Sequence, residues 1–162
     1  MRAYVTRAQL LELMNRQLAE DDDCEYCQFS GLQRLKEPEA DGRNWSDIVH
    51  ITCSGRAVDL CADTGRRVLQ AALGRYNLCD DDGRISDLSF EFRGHDFRCL
   101  ARSGGIASVN PEGPWAQPVN SMWWVTVDGT HERPAFPSGS DDTDAHDLRS
   151  RIVGWFQKTV GQ

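Results

Sequence analysis

Cys24 and Cys27, in the stretch EDDDCEYCQF, form the one CxxC of the chain. Two thiols at that spacing can bind a metal, exchange with a disulfide, or simply pack. A redox pair needs a lowered thiol pKa and usually sits at a helix N-terminus, where the dipole favours thiolate. Here the pair follows the C-terminal end of an expected helix, among Glu20, Asp21, Asp22, Asp23 and Glu25. Both surroundings oppose thiolate, which argues against a thioredoxin-type oxidoreductase. The same carboxylates do not oppose a cation. Zinc takes four ligands, and His50 and Cys53 complete a C-x2-C-x22-H-x2-C pattern, with Cys61 as a substitute for His50. His50 and Cys53 are three apart, so in a regular strand they point to opposite faces. They converge only if the strand ends or bulges near Thr52, which Ser54-Gly55 permits. The plainer reading is that Cys27, Cys53, Cys61 and Cys99 are small buried apolar groups.

Other chemistry is thinner. Asp80-Asp81-Asp82-Gly83 lacks the spacing and later glutamate of a calcium loop and reads as a solvated turn. Ser103-Gly104-Gly105 lacks the frame of a nucleophile elbow. The four histidines are scattered, with His95-Asp96 in an expected hairpin turn and His146-Asp147 on an expected helix. An enzyme would require a pocket gathering His95, His131 or the aspartates, which the spacing alone does not provide.

The elements that would position these groups follow from periodicity. Thr6 and Gln9 form a T-x-x-Q capping box before Leu10, Leu11, Met14 and Leu18, predicting a helix over 7–20. Two strands are expected over 28–35 and 46–53. Val58, Cys61, Val68, Ala72 and Tyr76 share one face of a helix over 58–76. In the second half Leu88, Phe90 and Phe92 alternate with polar residues, Arg93-Gly94-His95-Asp96 turns the chain, and Phe97, Cys99 and Ala101 alternate again. That is a β-hairpin. A short strand at 106–109, a strand in SMWWVTV with Trp123 and Trp124 on opposite faces, a segment near 131–136 and a helix over 143–159 complete the reading. The order is α-β-β-α, then strands, then α: an α+β fold with about three helices on a mainly antiparallel sheet. A division into 1–79 and 80–162 is expected, and one continuous domain fits equally well.

The charge narrows function. The 162 residues carry 18 basic and 25 acidic groups, net −7. Residues 1–79 hold 10 basic and 12 acidic, residues 80–162 hold 8 and 13. Such a chain is a poor ligand for nucleic-acid phosphates or an anionic membrane. Sixteen of the 18 basic residues are Arg, the bias of a GC-rich bacterial or phage genome. No stretch has the roughly 18 apolar residues of a membrane span. The opening MRAYVTRAQLLELMNRQ is too polar for a secretory leader. A cytoplasmic protein with reduced cysteines is therefore expected.

The long loop SGGIASVNPEGPWAQPVN places Trp115 between two prolines, and loops of this length often carry function. Trp115, with Glu112, Asp141, Asp142 and Asp144, is the expected contact set for a protein partner of basic surface. The expectation is a small acidic, non-catalytic protein-binding module of inhibitor, immunity, anti-defence or adaptor type, needing no cofactor. The alternatives are a zinc-stabilised module on Cys24, Cys27, His50, Cys53 and Cys61, a nucleic-acid mimic, and an enzyme.

Overall fold

The computed structural model describes residues 1–55, 58–102 and 121–160. The fold is α+β, with three α-helices and mostly antiparallel pairing among the described residues. The chain forms two compact units, Met1–Gly83 and Arg84–Gln162.

Unit 1 opens with β1 (Ala3–Val5) and α1 (Arg7–Leu18). The predicted capping box is present: Thr6 Oγ1 accepts from the Gln9 N–H at 3.2 Å, and Gln9 Oε1 accepts from the Thr6 N–H at 2.9 Å. Leu10, Met14 and Leu18, one stripe four apart, are buried. A 3₁₀ turn at Asp22–Cys24 leads to β2 (Cys27–Gly31), which pairs antiparallel with β3 (His50–Cys53). The predicted helix over 58–76 resolves into a 3₁₀ turn (Val58–Cys61), α2 (Ala62–Arg75) and β4 (Tyr76–Leu78). Neither β1 nor β4 was expected. Each has three residues, and they pair in parallel, Ala3 opposite Tyr76 and Val5 opposite Leu78.

Two asparagines supply backbone-like pairing that such short strands lack. The buried Asn44 side chain accepts from the Leu78 N–H at 2.8 Å and donates to the Leu78 carbonyl at 2.7 Å. Asn15 does the same for Phe29, at 2.6 and 3.1 Å. Trp45, fully buried, donates its indole N–H to the Tyr76 carbonyl at 2.9 Å. Gly65 faces β3 so closely that a Cβ there would sit 2.9 Å from Ile51 Cδ1, so a side chain would push Ile51 aside.

Unit 2 is an antiparallel meander, β5 (Asp87–Phe92), β6 (His95–Arg102), β7 (Met122–Val127) and β8 (Arg133–Pro137), followed by α3 (Ala145–Val160). The predicted hairpin is β5–β6, turned by Arg93 at φ 52° and Gly94 at φ 80°. Two successive positive φ values match the right-handed twist of the strands. Asp128 at φ 51° and Gly129 at φ 67° repeat the device between β7 and β8. Leu88, Phe97, Cys99, Trp123 and Val125 are buried on one sheet face with Leu148 and Ile152 of α3. Phe156 meets Phe97 edge-on at 5.0 Å, and the Arg149 guanidinium lies 5.3 Å from the Phe90 ring centre. The expected strand at 106–109 lies outside the described residues.

Candidate functional site

The cysteines decide the first question. Cys27 and Cys53 are register partners of β2 and β3, so both sulfurs leave the same sheet face, and they form a disulfide with Cα atoms 4.0 Å apart. Cys24, buried at the end of its 3₁₀ turn, forms a second disulfide with Cys61 across 5.1 Å. This corrects the expectation of reduced thiols. It also dissolves the proposed zinc set: the sulfurs of Cys24, Cys27, Cys53 and Cys61 are bonded to each other. His50 stands opposite Gly31, at the far end of β3 from Cys53. Among the described residues no group of three or more His, Cys, Asp or Glu could hold a metal ion. The strand stays regular past Thr52, so His50 and Cys53 do not converge. The remaining thiols, Cys79 and Cys99, are buried, and burial pushes both pKa values up. Cys99 therefore keeps the packing role expected for it.

The disulfides tie two segments into one face of unit 1. The Ser54 N–H donates to the Tyr26 carbonyl at 2.9 Å, and Thr64 of α2 hydrogen-bonds Asp21. Three large apolar side chains are left outside: Tyr26 is 53% exposed, Val58 49% and Leu60 56%. The acidic residues near them in sequence, Glu20, Asp22, Asp23, Glu25, Asp59 and Asp63, are exposed as well. Among the described residues, Arg66 is paired with Asp63 at 3.3 Å, and Arg67 borders a depression with Asp21–Asp23. The Thr64 hydroxyl and the Asp23 N–H hold Asp21 below the usual carboxylate pKa. Nothing in the spacing of Tyr26, Val58 and Leu60 marks their segments as neighbours, because the disulfides that join those segments were not expected.

No family model matches this chain, and neither a curated protein nor a solved structure matches it.

The expected partner set fares differently. Trp115 and Glu112 lie outside the described residues. Asp141 is exposed. Asp142 is a correction: it is 1% exposed and cannot meet a partner. Its Oδ2 accepts from Trp123 Nε1 at 2.8 Å and from the Gly139 N–H at 2.9 Å, and its Oδ1 takes Arg151 at 2.7 Å. Burial pushes this carboxyl's pKa up, but Trp123, Gly139 and Arg151 outweigh that and hold it below the usual value. Asp144 is exposed but caps α3, accepting from the N–H groups of Asp147 and His146 at 3.1 and 2.7 Å. Those bonds lower its pKa.

The pocket gathering His95, His131 or aspartates that an enzyme would require is present: the β6–β7 pairing brings His95 and Asp128 together beside a cleft that His131 also lines. Asp128 Oδ2 lies 2.7 Å from His95 Nδ1, while its Oδ1 accepts from the Asp96 N–H at 2.8 Å. The His95 bond and the Asp96 N–H hold Asp128 below the ordinary carboxylate pKa. The pair borders a cleft of about 210 Å³ between the sheet and the C-terminal half of α3, with His131 and Arg133 also at its edge. The neighbouring hydroxyl, Thr130 Oγ1, is spent donating to the Val127 carbonyl. The signal available in the sequence was Asp128-Gly129, a two-residue turn that fixes Asp128 opposite the start of β6.

Proposed function

We propose that the protein is a non-catalytic binding module that acts by contact with a protein of basic surface. The contact face is the disulfide-pinned end of unit 1. The observation that carries this reading is the exposure of Tyr26, Val58 and Leu60 on the two segments that the Cys24–Cys61 and Cys27–Cys53 bridges join, segments that also carry exposed carboxylates. Large apolar side chains at half exposure, on crosslinked segments that also carry charge, suit an interface centre. Rigid backbone there reduces the ordering cost of association. Unit 1, counted to Gly83, holds 15 acidic and 10 basic residues, and unit 2 holds 10 and 8. The acidic excess of unit 1 is therefore 5 and that of unit 2 is 2, because Asp80, Asp81 and Asp82 belong to unit 1. Long-range attraction would steer a basic partner to unit 1.

Two disulfides favour an oxidising setting over the reducing cytoplasm that composition suggested. Among the described residues no helix is long and apolar enough to cross a membrane.

The test is a partner-binding comparison. The oxidised chain is used as bait in host extract, the retained protein is purified, and its affinity is measured for wild type and for Tyr26→Ala/Leu60→Ala. Two central anchors are expected to change Kd by about a hundredfold or more, with unaltered melting. Raising salt should weaken the wild-type complex. Equal affinity for both chains would reject this face.

A further inference from the structure

The cleft of unit 2 has a chemistry that the proposed function does not use. Its walls are apolar: Val125 and Val127 from β7, and Trp155, Phe156 and Val160 from α3. At about 210 Å³ it exceeds the ~150 Å³ that holds a benzene molecule and falls short of the ~300 Å³ where drug-sized pockets begin. One aromatic ring with a short arm fills it. Trp155 and Phe156 offer that ring the stacked or edge-on contacts aromatic groups favour.

The mouth sets the polarity of the arm. Both oxygens of Asp128 are engaged within the protein, by His95 and by the Asp96 N–H. Glu132, beside the mouth in sequence, is paired with Arg102 at 3.0 Å. Among the described residues lining the cleft, the exposed His131 and Arg133 bring N–H donors to it. These can donate hydrogen bonds to an anion, and arginine can do so with two parallel donors. A cationic arm would meet Arg133, and the carboxylate lining the cleft, Asp128, already holds His95 and the Asp96 N–H. The contrast is sharp in a chain of net charge −7.

We propose that this cleft binds a small monocyclic aromatic carboxylate, with the ring between β7 and α3 and the carboxylate at Arg133 and His131. The ligand is a free small molecule, and the site is independent of the contact face on unit 1.

The experiment titrates the isotopically labelled chain with phenylacetate, benzyl alcohol and benzylamine, following amide and methyl resonances by NMR. Phenylacetate is expected to shift Val125, Val127 and Trp155 with a Kd of about 1 mM or below. Benzyl alcohol should bind the same residues about fivefold more weakly, and benzylamine more weakly still. Arg133→Gln, on an exposed strand position, should weaken phenylacetate about fivefold and leave benzyl alcohol unchanged. Trp155→Ala should abolish the shifts from both. If that variant unfolds, Arg133→Gln alone decides. Benzylamine binding as well as phenylacetate would overturn the carboxylate assignment. Absence of cleft shifts at about 10 mM phenylacetate, tenfold above the expected Kd, would overturn the site.

Discussion

The two units hold their strands together by different means. The strands of unit 1 have three to five residues, too few for a ladder to carry the sheet alone. Disulfides, a buried indole and two asparagine amides make up the difference. The strands of unit 2 have five to eight residues in a continuous meander with two turns of positive φ. It contains no disulfide among its described residues, and one of its buried carboxylates, Asp142, links the sheet to the approach of α3. Short local elements can be made rigid by side-chain and covalent links, whereas longer ones rely on register. That rigidity is what recommends the stapled end of unit 1 as a contact face.

Reduction gives the largest separation between the units. The crosslinks span 37 and 26 residues, and each is worth about 3.5 kcal/mol in the loop-entropy account. Nested loops share part of that, so reduction is expected to cost unit 1 about 4 kcal/mol and unit 2 nothing. Hydrogen exchange read by mass spectrometry, segment by segment, resolves the two. Equal loss of protection in both units would erase the contrast.

Asp142→Ala is the counterpart in unit 2. It removes a buried acceptor from Trp123, Gly139 and Arg151, and the expected cost is about 3 kcal/mol in denaturant titration. A cost under about 1 kcal/mol would show that the network stabilises little. The carboxyl also predicts acid sensitivity. Its folded pKa lies below the unfolded value of about 4, so its stabilisation is complete above about pH 4 and is lost as pH falls through the folded value. The acid-induced fall in unit 2 stability should flatten in Asp142→Asn, and an unchanged slope would assign it elsewhere.

Asn44→Ala strips Leu78 of both its side-chain hydrogen bonds and should cost unit 1 about 2 kcal/mol by the same exchange measurement. Smallest is Gly94→Ala. A Cβ there meets nothing within 4 Å, so the cost is the backbone's φ of 80° alone, about 1 kcal/mol in thermal melts. A larger loss would mean that the turn contributes more than its geometry.

What could be read from the residues was local. The capping box at Thr6, the stripe Leu10–Met14–Leu18 and the alternation from Leu88 to Ala101 depend on near neighbours, and all are present. The α+β class followed from them. What escaped depends on partners far along the chain. Three-residue β1 and β4 have no periodicity to detect, and they pair across 73 positions. Four cysteines permit three pairings, and only the β2–β3 register selects Cys27 with Cys53. Asp142 sits in a run of polar residues that resembles surface, and the fold buries it because Trp123 needs an acceptor. The cleft is invisible in sequence for the same reason: its walls come from β7 and α3.

The crosslinks have a consequence for chain integrity. Any peptide bond cut between Cys27 and Cys53 leaves the two pieces fastened by both bridges. A protease nick in the 32–49 connection would therefore add the mass of one water and leave a single molecule, which falls into two bands only once a thiol reagent is added.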